Sequence, residues 1–460
     1  MAGRCIAIEL NDALLAVADE SGVRYAEPGY LVVVNGMPRF GADAMPVLRR
    51  HPAMASTRHW VDLGEQPLRR PLQGFTSTAS IVAGHLRQLW QRFGADDASV
   101  AWAVPAWWSE EQQRVLAELS RTLGLRVRAV ADAAVAACRH EYPGRELLQL
   151  DAGLHGLAVT RIRQAEQASP GERADFPTLG IEPLLRVTLE TLARRFVAGS
   201  RFDPLHDAEA EQALFDQLPN WLPRLAADGD VTLSLTTRSG TFAASVQGVE
   251  FRARLGSACE PLLQKLRASI AERGPHVLQV HHRLAEFPGV LEALVRLPGV
   301  EVHVLGPGAA ALGLLGRLSA AIRPGPTPER VSALPWDQPP AVAPEDRLIE
   351  PGATAHLPTH VLVGHRAFRL GAEPFRVGAE LSPGEVGVAL DPGLRGLSRR
   401  HCTLRRENGA LLVFDHSRFG TWLNGHRISG AVVLQPGDVL AVGTPAVELR
   451  LLAEVGSDGA

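Results

Sequence analysis

The stretches GLSRRHCTL (396–404) and DHSRFGTWLNG (415–425) decide the fold of the carboxy-terminal part of this chain. Outward from them, everything beyond His360 breaks into short apolar runs: HVLVGH, AFRLG, PFRVG, VGVAL, HCTLRR, ALLVFDH, TWLNG, VVLQPGDVLAVG and AVELRLL. Gly, Pro and Asn separate the runs, and no helical period links them. Many short strands punctuated by turn residues predict an all-β sandwich over 359–452, with a tail at 453–460. Within it, Ser398 and Arg399 set a hydroxyl beside a guanidinium.

These motifs resemble the forkhead-associated (FHA) family. Its S-R-x-H element is carried by Ser398, Arg399 and His401, and its S-x-x-G-T-x-x-N-G element by Ser417, Gly420, Thr421, Asn424 and Gly425. The resemblance implies a protein-docking module that reads phosphothreonine. Ser398, Arg399, Arg418 and Asn424 would be the phosphopeptide-binding residues, with Asn424 also fixing the neighbouring turn, and His401, Gly420, Thr421 and Gly425 the framework of their loops. Two positions depart from the family pattern. Ala379 follows Gly378 where the family has an arginine, and Phe419 replaces an asparagine that binds peptide backbone. Arg376, Arg395 and Arg418 are candidate substitutes, and phosphate-independent docking stays open beside the phosphothreonine reading.

Upstream, CIAIEL (5–10) and ALLAVAD (13–19) read as strands joined across Asn11-Asp12, a pair that tolerates tight turns. ELLQLD (146–151), the loop AGLHG and LAVTRI (157–162) repeat the plan, with Asp151 ending the first strand as Glu9 does in the earlier hairpin. The repetition predicts a duplicated α/β fold. Ser109 opens a helix in SEEQQRVLAELSRTLG, with Gln112 completing a capping box and Gly124 closing it. Helical and strand patterns alternate over 182–322, as expected of the second half.

Residues 4–320 resemble, segment by segment, the nucleotide-binding domain of the heat-shock chaperones within the actin-like ATPase superfamily. The order is FGADAMPVLRRHPAMASTRHWVDLG, then VPAWWSEEQQRVLAELSRTLGLRVRAVADAAVAAC, LLQLDAGLHGLAV and GPGAAALGLL. The resemblance implies ribonuclease-H-like halves spanning 1–321, with ATP and magnesium held between two glycine-rich loops. The chemistry departs from that pattern. Asn11 and Asp12 replace the first loop's small residues, so Asp12 sets negative charge against phosphate. Leu154 and His155 stand at glycine positions of the second loop, and Ala158 replaces its second acid. Met45 takes the place of the catalytic lysine, and the chain's sole lysine is Lys265.

His281 and His282 fall where the nucleoside would pack. Glu9, Asp12, Asp151, Gly153, His281 and His282 are therefore expected to form a vestigial nucleotide cleft without catalysis. No cofactor is expected, with ATP and magnesium kept open as the alternative, and no metal on His281 and His282, because adjacent histidines on a strand point to opposite faces.

Composition bounds the rest. A formal net charge of −3 supplies no basic field for nucleic acid, and no polybasic tail addresses a membrane. Cys5, Cys138, Cys259 and Cys402 lie far apart, which suits a reducing cytoplasm rather than a disulfide framework. Residues 322–358 are dense in proline and read as an extended linker. The expectation is a cytoplasmic adaptor, a pseudo-ATPase chaperone-like domain tethered to a docking module for a protein partner. The alternative is a nucleotide-dependent chaperone-like ATPase regulated through its FHA domain.

Overall fold

The computed structural model describes residues 5–94, 98–226, 229–271, 275–321, 329–341, 357–364, 366–407, 410–428, 431–444 and 446–453. Two compact units emerge, the first from Met1–Arg139, Glu146–Val302 and Pro307–Asp337, the second centred on Gln338–Ala460.

The first unit holds two six-stranded sheets. One runs Gly22–Glu27, Leu15–Asp19, Cys5–Glu9, Ser99–Val104, Val127–Asp132, Glu329–Val331. Its first three strands form an antiparallel meander, with Ala7 opposite Ala18 and Leu15 opposite Glu27. The remainder are parallel, with Ile8 opposite Trp102, Ala131 opposite Ala103 and Val130 opposite Arg330.

The other sheet runs Leu334–Pro335, Gln167–Phe176, Leu157–Gln164, Glu146–Ala152, His276–Val280, Val300–Val304. Leu150 pairs antiparallel with Val159, and Leu148 pairs parallel with Leu278. Counted along the chain, both sheets order their five long strands third, second, first, fourth, fifth.

The central strands are buried almost throughout, their polar Gln149 and Asp151 included, because helices cover the sheets and alternation gives way to continuous burial. Helices Thr78–Phe93 and Glu110–Thr122 share a core with the first sheet through Val82, Leu86, Leu116, Ile8 and Trp102. Ser109 and Gln112 form the expected reciprocal cap, at 3.2 and 2.9 Å. Ile181–Ser200 and Ala208–Leu225 bury Leu189, Phe196 and Trp221 with Leu150 and Leu278 of the second sheet.

The linker expected over 322–358 needs correction. Glu329–Val331 and Leu334–Pro335 add an edge strand to each sheet, Leu334 is fully buried, and Asp337 pairs with Arg139 at 2.6 Å. Proline fits there because an edge strand can leave its nitrogen outside the ladder, and capping an open edge removes unpaired backbone groups. Residues 322–328 and 342–356 of that segment lie outside the described residues, as do 454–460 of the tail.

The second unit contains two sheets of short strands. Six strands run Arg366–Arg369, His360–Val363, Val447–Leu452, Val439–Val442, Trp422–Leu423, His426–Arg427. Five run Gly387–Ala389, Phe375–Gly378, Cys402–Glu407, Ala410–Asp415, Ala431–Leu434. Val361, Val377, Leu404, Val413, Leu423, Leu440 and Leu449 fill one core between them, giving the all-β sandwich. All four cysteines are free, and no helix among the described residues is long and apolar enough to cross a membrane.

Candidate functional site

Two loops of the sandwich come together around His401. One is the segment 398–401 that enters the strand Cys402–Glu407. The other, 416–421, leaves the strand Ala410–Asp415. His401 is fully buried, accepts the Ser398 N–H on Nδ1 at 3.1 Å and donates from Nε2 to the Gly420 carbonyl at 3.1 Å. The carbonyl fixes the Nε2–H tautomer, and burial holds the imidazole below its ordinary pKa. A neutral ring thus bridges both loops.

The second loop is braced from within. Asp415 Oδ1 accepts from the Ser417 amide and the Thr421 hydroxyl at 2.9 and 2.8 Å, and Ser417 Oγ accepts from Gly420 N at 2.7 Å. Gly420 has φ +100°, a left-handed backbone angle that favours glycine; a Cβ there would also displace the Arg427 side chain.

The first loop is braced by backbone. Ala379 N donates to the Ser398 carbonyl at 3.1 Å and Glu380 N to the Arg399 carbonyl at 3.2 Å. A Cβ on Gly378 would come within 2.1 Å of the Arg399 carbonyl oxygen, so only glycine admits this approach.

On this frame Ser398 and Arg418 meet, with Arg399 next to Ser398 in the chain. Ser398 Oγ accepts the Arg418 N–H at 3.1 Å, which leaves its own hydrogen available to a ligand oxygen. Arg399 is exposed and makes no ion pair among the described residues. Arg376 and Arg400 both pair with Glu385, at 2.9 and 3.3 Å, so Arg376 is no stand-in for the arginine missing at Ala379. The Ser382 amide, ahead of Arg376 and Arg400, holds the Glu385 carboxyl below its ordinary pKa.

Asn424 needs correction as a phosphopeptide ligand. It is buried, its Nδ2 donates to Asp438 Oδ1 at 2.7 Å, and its Oδ1 accepts from Val439 N at 2.8 Å. Asn424 and Gly425 have φ +49° and +84° between the paired residues Leu423 and His426. That is the left-handed two-residue turn for which Asn-Gly is the preferred sequence, so the pair builds the hairpin instead of meeting ligand. Asp415, Glu385 and Asp438 went unnoticed in the sequence. Only Asp415, just ahead of Ser417 in DHS, carried a local signal.

In the first unit the two hairpin loops bond to each other. Asn11 Nδ2 donates to Asp151 Oδ1 at 2.7 Å, and Leu154 N donates to Asp12 Oδ1 at 2.8 Å. The neighbouring amides are also engaged: Ala13 N to Asn11 Oδ1 at 2.9 Å, Leu14 N to Asn11 O at 3.0 Å and Gly153 N to Gly156 O at 2.8 Å. A Cβ on Gly153 would lie 2.8 Å from Asp12 Oδ1. Glu9 accepts from Ala310 N at 3.0 Å, at the start of the helix Ala309–Ala321.

All three acids are buried, and burial pushes them up: Glu9 to about 7, Asp12 to about 6, and Asp151, also facing Glu9, to about 8. The histidines differ from expectation. The strand ends at Val280, and His281 instead caps the short helix His282–Ala285 with its ring centroid 4.5 Å from that of His282. Burial keeps both neutral, His281 down to about 3. Among the described residues no three His, Cys, Asp or Glu side chains group as a metal site. Met45 packs partly buried against the core, while Lys265 lies exposed on the helix Glu260–Ala271.

A sandwich whose loops are tied by a buried histidine and a serine-arginine pair belongs to a class of docking domains. Residues 377–443 match the family described as FHA domain, and FHA domains are phosphoprotein-docking modules. No curated protein matches the chain.

Proposed function

We propose that this protein is an adaptor whose FHA domain docks a phosphothreonine-bearing protein through Ser398, Arg399 and Arg418. The observation that carries the reading is the hydroxyl of Ser398, oriented by the Arg418 amide at 3.1 Å, next in the chain to Arg399, which is exposed and makes no ion pair among the described residues. A dianionic phosphate at that point receives charge-assisted hydrogen bonds from preset donors, and loop ordering costs little because His401 has already been satisfied by both loops. The first test is a phosphothreonine peptide array probed with the full chain, with Ser398→Ala and with Arg399→Ala. Phosphate-dependent spots that fade in both variants support the reading, and spots indifferent to phosphatase and to both substitutions refute it.

For the first unit we propose a degenerate actin-like domain, a pseudo-ATPase serving as a protein-binding platform. Its support is the common strand order of the two sheets together with the mutual bonding of the two loops that would otherwise cradle phosphate. Amides already bonded to Asp12 and Asn11 are poor anion receptors, and Asp12, raised only to about 6, still sets negative charge against a triphosphate at neutral pH. Titration calorimetry with magnesium-ATP tests this; binding in the micromolar range would restore the alternative of a nucleotide-dependent ATPase.

A further inference from the structure

Phe419 is 53% exposed, among the most exposed large apolar side chains of the chain. It follows Arg418, whose amide orients Ser398, and the Arg418 guanidinium carbon lies 5.7 Å from its ring centroid. Across from it runs the other loop, since a Cβ on Gly396 would lie 3.8 Å from Phe419 Cβ and 3.6 Å from Thr444 Oγ1. Gly396 has φ +71°, so the absence of a side chain there is built into the backbone and keeps the ground beside the ring open. The ring is half exposed, stands against the Gly396 loop at its Cβ and follows Arg418, whose amide holds Ser398.

We infer that Phe419 is a specificity-determining contact, selecting phosphothreonine segments that carry a large aliphatic or aromatic residue close to the phosphothreonine. The inference rests on the docking reading above. Its occupant follows from chemistry: Arg395, Arg399 and Arg418 line the loops and favour an anionic segment, while an exposed aromatic ring amid these cations gains most from apolar surface laid on it. A ring offers no hydrogen bonds to peptide backbone. Recognition at this position therefore passes from backbone, which every sequence presents, to a side chain, which only some do. Covering the exposed half of a phenyl ring is worth roughly tenfold or more in affinity.

The experiment uses the full chain and a synthetic phosphothreonine peptide library varied at three positions on either side of the phosphothreonine. The wild type is expected to enrich Leu, Ile, Met or Phe at one position. Against a selected peptide, Phe419→Ala should weaken binding about tenfold, yet leave the affinity for the same peptide with Ala at that position nearly unchanged. Phe419→Asn should bind both peptides alike. Because Phe419 is exposed, an unchanged melting curve is expected and separates a lost contact from a lost fold. Phosphate-dependent binding whose apolar preference survives in Phe419→Ala, or a library with no preference at any position, overturns this inference alone. Binding indifferent to phosphate and to Ser398→Ala overturns the docking reading and this inference with it.

Discussion

Asn11 donates its side-chain amide to Asp151 at 2.7 Å, joining two hairpin loops from different sheets of the first unit. The bond places a buried carboxyl in a setting that already includes Glu9 and Asp12, and this has a measurable consequence.

Asp151 is raised from an ordinary carboxyl value to about 8, by burial first and by Glu9 second. A folded pKa above the unfolded one favours the protonated fold, so the stabilisation is complete below the unfolded pKa and is lost as pH rises toward about 8. Asp151→Asn keeps an acceptor for Asn11 and removes the titration. Its stability relative to wild type should improve by up to about 1.4 kcal/mol per pH unit as pH rises from acid toward neutrality and level off at alkaline pH. Urea unfolding across a pH series checks it.

Asn424→Ala removes both buried bonds to the segment 438–439 and leaves an alanine in a left-handed turn. We expect a loss of about 2–3 kcal/mol in the stability of the FHA domain. At a temperature where the variant is folded, its peptide preferences should match wild type. Thermal unfolding and the peptide array separate the two readouts.

Arg317 is 1% exposed, and its guanidinium donates to the carbonyls of Gly313, Ala136 and Cys138, gathering the end of the helix Ala133–Ala137. Burial brings it down to about 10, still charged at neutral pH. Arg317→Met fills similar volume without donors, so several carbonyls lose their partner, and about 2–4 kcal/mol should be lost from the first unit in denaturant unfolding.

How much of this was legible depended on how local the physics is. The hairpins at Asn11-Asp12 and 152–156 were readable because continuous apolar runs end in acids, and the helix after Ser109 because its cap is encoded within four residues. Asn424-Gly425 announced a turn, yet family resemblance drew Asn424 toward ligand; its partner Asp438 is set by the fold. The edge strands Glu329–Val331 and Leu334–Pro335 are too short to show a period and contain proline, so they looked like linker. The bond of Asn11 to Asp151 spans 140 positions, and no spacing in the sequence encodes it. The pairing of Arg376 and Arg400 on Glu385 joins a strand to two loops that only the fold brings together, which is why Arg376 looked available for phosphate.

The central claim is that Ser398 and Arg399 hold a phosphothreonine. The most direct measurement is the dissociation constant of the full chain for one array-selected peptide, phosphorylated and not, in wild type, Ser398→Ala and Arg399→Ala. Phosphate should improve wild-type affinity by about a hundredfold, and each substitution should remove about tenfold or more of that gain. Equal affinity for the two peptide forms, or a phosphate gain that persists in both variants, would contradict it.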